Sequence, residues 1–306
     1  MIKRTIEISK EPAHLAVKLG QLLIRRHDAD PSTAASIPCE DVGLLIVDQP
    51  QTSYSHPALV SLIEAGAAVV LCGKDHLPAA LILPLATHTE LVWRIHDQIA
   101  ASKPLCKRLW QQIVVAKIHA QAANLPPGSA ARQKILALAP QVRSGDPANL
   151  EAQAAKIYWT AWIGPTDPHN PFRRDPDAPG LNAFLNYGYA VLRAALARAL
   201  VAAGLHPALG IHHANRSNPF CLADDLIEPL RPLVDARARD LHQWGLDTLD
   251  QKAKTHLLQH LAADVQTGDQ TGPLMVALHR MAASFVKCLR REESKLLIPL
   301  ALEPPA

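Results

Sequence analysis

Three short stretches of this sequence place acids and histidines where they could hold a metal ion or move a proton. The first is Gly145-Asp146-Pro147-Ala148-Asn149-Leu150-Glu151. Asn149 fits an N-cap, which puts Glu151 in the first turn of the helix that follows. A first-turn glutamate also complements the helix dipole in any helix, so position alone does not single it out. The second stretch, Gly204-Leu205-His206-Pro207-Ala208-Leu209-Gly210-Ile211-His212-His213, runs through a tight Gly/Pro connection into paired histidines. Adjacent side chains diverge, so one of the two faces any given site, and ordinary core or surface roles compete with a functional one. The third is Asn218-Pro219-Phe220-Cys221-Leu222-Ala223-Asp224-Asp225-Leu226-Ile227-Glu228. Asn218 and Pro219 read as an N-cap with proline at the first helical position. Asp225 and Glu228, three residues apart, share a helix face where like charges repel. Leu222, Leu226 and Leu230 mark a neighbouring buried face, so acids beside it require a cation or a basic partner. Asp224 is offset from that face and reads as solvent-facing. A solvated acidic patch is the plain alternative.

Together, Glu151, His213 and Glu228 offer two carboxylate oxygens and one imidazole nitrogen. That donor set suits Mg²⁺ or Mn²⁺ rather than zinc and leaves positions for water and phosphate oxygens. A hard divalent ion beside DNA polarises a phosphoryl group and orients an attacking hydroxyl. Basic residues are placed where such a substrate would need them. Arg173 and Arg174 lie in the Pro/Asp-rich stretch 166–180, Lys287, Arg290 and Arg291 share a face of the last long helix, and Lys103, Lys107, Arg108 and Lys117 dot an earlier one. Non-specific phosphate binding needs several of these to converge.

Two kinds of element must position these residues. Val42–Val47 and Ala68–Cys72 are short apolar runs closed by turn residues, as buried strands are, with a third strand at Leu81–Leu85 and a helix from His56 to Gly66 between the first two. A compact β domain over residues 1–88 follows. From Thr89 onward the apolar spacing is helical, over Glu90–Lys103, Pro104–Ala123, Ala130–Ala139, Asn149–Ile163, Leu181–Ala203, Asn218–Gln243, Asp247–Leu261 and Gly272–Leu297. Residues 89–306 therefore read as a larger all-α domain, and the chain as α+β.

Composition sets bounds without naming a function. The 306 residues suffice for two domains with real cores, and no apolar run reaches the length of a membrane span. Five scattered cysteines without CxxC spacing exclude a disulfide framework and a zinc ribbon. A formal net charge of +3 permits nucleic-acid binding without demanding it.

The sequence resembles the CRISPR-associated integrase family of the spacer-adaptation module, in its type II branch. The resemblance lies in Leu181-Asn182-Ala183-Phe184-Leu185-Asn186-Tyr187-Gly188-Tyr189, in Leu209-Gly210-Ile211-His212-His213, and in the run from Asn218 to Asp235. It extends to Gly20–Ile24, Ile37–Gly43 and His76-Leu77-Pro78, and so covers nearly the whole chain. It implies that Glu151, His213 and Glu228 are the metal ligands, with Asp225 as an accessory acid. It also implies an N-terminal β-sandwich that carries a homodimer interface, a helical catalytic domain, and a small ferredoxin-like partner, two integrase dimers flanking a partner dimer. The expected substrates are double-stranded DNA, prespacer and repeat, joined by attack of a 3′-hydroxyl on a phosphodiester. The same site would act as an endonuclease with water as nucleophile. The type II effector nuclease is a further candidate partner, and the expected location is the bacterial cytoplasm. Two alternatives come from other classes: a DNA-binding subunit with a vestigial metal site, and a zinc hydrolase built on His206, His212 and His213.

Overall fold

A computed structural model describes residues 3–26, 34–85, 88–163, 172, 174–175 and 177–302. Eight strands come first: β1 (Arg4–Ile8), β2 (Ala13–Lys18), β3 (Gln21–Arg26), β4 (Ala35–Pro38), β5 (Val42–Val47), β6 (Ser53–Tyr54), β7 (Ala68–Cys72) and β8 (Pro78–Ile82), with helix α1 (His56–Glu64) between β6 and β7. They form two four-stranded sheets, ordered β1-β5-β7-β8 and β4-β3-β2-β6. In the first, β1, β5 and β7 run parallel and β8 antiparallel.

The central strand β5 is buried at every residue because both its faces are covered. Val42, Leu45 and Val47 share a core with Leu15 and Leu22 of the second sheet and with Ala58 and Leu62 of α1. Leu44 and Ile46, with Ala68 and Val70, pack instead into the helical core. Two covered faces explain why the run is continuously apolar rather than alternating. The third strand lies at Pro78–Ile82, shifted from the expected Leu81–Leu85, because Gly73 and His76 close a turn that brings Pro78 opposite Cys72.

Ten helices are described in all; after α1 come α2 (Leu91–Ile99), α3 (Lys103–Ala123), α4 (Ala130–Leu138), α5 (Leu150–Ala161), α6 (Leu181–Ala202), α7 (Cys221–Ile227), α8 (Arg231–Gln243), α9 (Gln251–Leu258) and α10 (Leu274–Leu289). The chain is thus α+β, a β-rich N-terminal region followed by a helical one. The helical region is not all-α as expected but carries one small antiparallel sheet in the gap after Leu261 and beyond Leu297: β9 (Asp264–Thr267), β10 (Gln270–Pro273) and β11 (Leu300–Ala301). Gly268, at φ +63°, makes the β9–β10 turn, and Pro273 delays the last helix to Leu274. The expected helix Asn218–Gln243 is likewise broken. A 3₁₀ turn at Glu228–Leu230 separates α7 from α8, because Pro229 and Pro232 have no N–H to continue the ladder.

Helix α6 is the axis of the helical half and is buried along most of its length. It packs on α8 at Gly188, where a Cβ would collide with the Val234 side chain. The two halves are pinned by polar contacts that α6 and α9 make with β1 and with the loops that flank β5 and β7. Lys254 pairs with buried Asp48, Tyr187 Oη donates to Glu7 at 3.2 Å, and Arg198 Nε donates to the Gly66 carbonyl at 2.7 Å. All five cysteines are free, as expected. Among the described residues no helix is long and apolar enough to cross a membrane.

Candidate active site

The site is assembled from α3, the start of α5, the turn before α7, and the junction of α7 with α8. Its most buried acid is Asp225, which is inaccessible to solvent. The carboxylate accepts N–H bonds from Ile211 at 2.7 Å, His212 at 3.0 Å and His213 at 3.0 Å, and it contacts His213 Nδ1 at 2.6 Å. Three backbone donors compensate the buried charge. Gly210 makes this turn possible, since a Cβ there would lie 2.5 Å from the His213 carbonyl and 2.9 Å from Asp225 Oδ2. An ionised carboxylate only accepts, so Nδ1 carries the proton and Nε2 is left for a ligand or substrate. The bond to Asp225 outweighs desolvation and raises the His213 pKa above the ordinary imidazole value.

The two histidines diverge as their adjacency requires. His212 stacks flat on Trp110 of α3, ring centroids 3.9 Å apart at 2°, while His213 meets the same indole edge-on at 5.9 Å. His206 is turned to its own loop, Nδ1 accepting the Ala208 N–H at 3.3 Å. The three histidines proposed for a zinc hydrolase thus do not converge.

Glu151 stands in the first turn of α5, as expected, but the cap is different. Asn149 adopts a left-handed conformation, φ +52°, and makes no capping bond. Asp146 does that work, accepting from Leu150 N and Glu151 N at 2.9 Å each. Asn218 likewise is not the N-cap of α7. It forms a turn before the helix, accepting from Phe220 N at 2.9 Å and donating to Asp224 at 2.7 Å. Asp224 is not solvent-facing either; it is buried in an ion pair with Arg193 Nε at 2.7 Å.

Glu151 and Glu228 converge on one cation, the ammonium of Lys117, which bonds to Glu151 Oε1 and Glu228 Oε2. Arg231 Nε donates to the other oxygen of Glu228 at 2.9 Å. Burial alone would push the Glu228 carboxyl up, but Arg231 and Lys117 hold it at about 2. Burial also opposes the Lys117 charge, and Glu228 and Glu151 more than offset it, so its pKa lies above the ordinary lysine value.

Behind Glu228 lies a buried polar network. The Arg231 guanidinium sits 4.6 Å from the Tyr189 ring centroid. Tyr189 donates to Asp235 Oδ1, and Tyr158 donates to Oδ2 at 2.9 Å. Burial pushes the Asp235 carboxyl up to about 6 despite these hydrogen bonds and the charge of Arg231. Arg174 joins the same network, donating to Asn182 at 2.9 Å and Asn186 at 2.5 Å with its guanidinium 5.6 Å from the Tyr189 ring.

Of the other expected DNA contacts, Arg173 lies outside the described residues. Lys287, Arg290 and Arg291 do not share a helix face, because α10 stops at Leu289 and Arg291 turns left-handed at φ +61°. Lys287 pairs with Glu293 at 2.8 Å, and Arg290 reaches Glu90 at 3.2 Å and Asp97 at 3.3 Å. Lys117 is expected from the sequence only as one of several phosphate-binding residues, and Arg231, Asp146 and Trp110 are not expected in the site at all. One signal could have found Lys117: it stands beside the apolar residues Ile113, Val114 and Ile118 on the buried side of α3, where an unpaired ammonium is untenable.

The donors fit a hard divalent ion in kind: two carboxylates that already share a cation, and an imidazole whose Nε2 is left available. Among the described residues no three His, Cys, Asp or Glu side chains stand in ready ligating geometry. Glu151 and Glu228 are instead bridged by the Lys117 ammonium.

Comparison with known proteins bears on what such a site serves. Residues 6–258 match the family model described as CRISPR associated protein Cas1. The chain is 37% identical over 287 residues to the CRISPR-associated endonuclease Cas1 of Neisseria meningitidis serogroup C, covering 92% of this chain and 91% of that protein. Among solved structures, a casposase bound to integration product superposes with a TM-score of 0.79 at 18% identity, over 96% of this chain and 93% of that one. A chain of a Cas6-RT-Cas1–Cas2 complex superposes at 0.75 and 18% identity, over 99% of this chain and 36% of that one. With a family model spanning most of its length and a relative of this identity, the chain belongs to the Cas1 family of CRISPR-associated proteins.

Proposed function

We propose that this protein is a Mg²⁺- or Mn²⁺-dependent DNA integrase and endonuclease of CRISPR adaptation, with Glu151, His213 and Glu228 as metal ligands. The observation that carries this reading is the convergence of Glu151 and Glu228 on one cation, beside an imidazole that Asp225 holds by its far nitrogen. Membership of a family whose relatives are named endonucleases supports it, as does the likeness in fold to a casposase on its integration product.

When bound, the ion would neutralise charge on the phosphodiester and favour the attacking hydroxyl in its reactive form. The protein's own groups do the rest. Glu151, on the more accessible side, and Glu228, on the buried side, would hold the ion. Asp225 fixes the His213 ring so that Nε2 points away from it, and Arg231 keeps Glu228 ionised and still. Attack of a 3′-hydroxyl forms one phosphodiester as another breaks, so no external energy source is needed. Water in place of the hydroxyl gives cleavage.

The proposed assembly follows the family: a homodimer through the β-rich region, two such dimers about a dimer of a small ferredoxin-like partner, and double-stranded DNA across them. The occurrence of a similar fold in a Cas1–Cas2 complex supports such a partner. A type II effector nuclease and a bacterial cytoplasmic location belong to the same reading. Integration of labelled 3′-hydroxyl oligonucleotides into a repeat-containing plasmid tests it. The expected result is strand transfer in Mg²⁺ or Mn²⁺ that EDTA abolishes; equal activity in EDTA would rule out the metal-dependent mechanism.

A further inference from the structure

We propose that Lys117 is the resident counter-cation of this site: its ammonium holds the place between Glu151 and Glu228 that a divalent ion would take, and the two exclude each other. This rests on the metal-dependent reading given above and deepens it.

Lys117 projects from the buried face of α3, and only 8% of the residue is accessible. An ammonium at that depth is sustained only by partners, and it has two, the carboxylates expected to ligate the ion. With Arg231 on the second oxygen of Glu228, two positive charges balance these two acids. A protonated amine has no lone pair to ligate with and repels a divalent ion bound to the same oxygens. One of the two must leave. Lys117 can, because its four-carbon stem has several rotatable bonds and the Glu151 side chain, a quarter exposed, opens a path to solvent. Arg231 stays, so Glu228 retains a partner during the exchange.

Lys117 therefore lends the metal-free protein stability at the expense of metal affinity. Arg231 differs from it in kind, because it approaches Glu228 from the side of Tyr189 rather than from between the acids.

The test is calorimetric Mn²⁺ titration and thermal unfolding of the full chain as wild type, Lys117→Met and Lys117→Gln. Both variants are expected to bind Mn²⁺ roughly tenfold or more tightly than wild type, to melt lower in EDTA, and to gain more melting temperature from Mn²⁺. Unchanged or weaker Mn²⁺ affinity in either folded variant would overturn the proposal. The wild type gives an independent readout through the Lys117 side-chain NMR signal during Mg²⁺ titration. That signal should move to the position of a solvated lysine as the site fills, and an unmoved signal at saturation would also overturn it. Absence of Mn²⁺ binding by all three proteins would overturn the metal reading itself, and this proposal with it.

Discussion

Asp225 fixes His213 twice, accepting its main-chain N–H at 3.0 Å and contacting its ring Nδ1 at 2.6 Å. The same carboxylate also holds Ile211 and His212, so one buried acid sets both the turn and the orientation of the imidazole. An asparagine at this position would present an NH₂ to backbone donors. Asp225→Asn is therefore expected to lower stability by about 1–3 kcal/mol and to bring the His213 pKa down from its raised value, followed by NMR titration. A folded-state pKa above the unfolded one stabilises the protein fully below the ordinary imidazole value, and the stabilisation fades as pH rises through the folded one. The wild type should show that loss as pH rises above the ordinary imidazole value, and Asp225→Asn should not. An unshifted His213 in the variant would mean that Asp225 does not hold the ring.

Gly210→Ala introduces a methyl 2.5 Å from the His213 carbonyl and 2.9 Å from Asp225. Asp225 is held by the main-chain N–H groups of Ile211, His212 and His213, and the last of these bonds ties the His213 main chain to the same carboxylate, so neither neighbour retreats without breaking the turn. The expected cost is about 1–3 kcal/mol of stability, with a loss of strand transfer larger than the loss of folded protein explains. Chemical denaturation and a single-turnover assay on the folded fraction measure the two effects separately.

Arg174 is directed inward, to Asn182, Asn186 and Tyr189. Arg174→Ala should lower the melting temperature and leave the salt dependence of DNA affinity unchanged. A lost phosphate contact would reduce the slope of log K against log salt by about one. Affinity measured across a salt series distinguishes the two outcomes.

The arrangement of strands and helices was largely legible, because buried strands such as β5 and amphipathic helices such as α3 write their environment in their apolar pattern. The breaks were less so. Pro229 and Pro232 lie within what otherwise reads as a single helix, and the β9–β10 hairpin is too short to compete with the periodicity on either side. Within the site, only the pair Asp225 and Glu228 stands out from spacing; Glu151 and His213 take their expected roles from the family resemblance, and the pairing of the cations has no local signal. Charge spacing finds Asp225 and Glu228 because they are neighbours in sequence, whereas Lys117 and Glu151 meet only through the packing of α3 on α5. Asp224 was misjudged for the same reason, since Arg193, which buries it, comes from α6.

Acid should loosen the joint between the two halves. Arg198 donates to the Gly66 carbonyl and to His279 Nε2 at 2.9 Å, and arginine has only donors, so that imidazole nitrogen must be unprotonated. Burial, assisted by the charges of Arg198 and Lys3, lowers the His279 pKa to about 4, and burial lowers that of His260 to about 4 as well. Groups depressed in this way stabilise the fold above the unfolded imidazole pKa and lose that contribution as pH falls towards the folded one. Stability should therefore drop between about pH 6.5 and 4, by on the order of 1–3 kcal/mol for each histidine. Denaturant midpoints across this range, compared with those of His279→Gln, should show a shallower slope in the variant.

The most direct test of the central claim is single-turnover strand transfer in Mg²⁺ by Glu228→Ala, with Glu228→Gln alongside to keep the shape of the site. Both should cost stability, because Lys117 and Arg231 lose a buried partner, and the folded fraction should lose strand transfer by roughly a thousandfold or more, as expected when a group that stabilises charge in the transition state is removed. Strand transfer near the wild-type rate by either variant would contradict the assignment of Glu228, and with it the metal site described here.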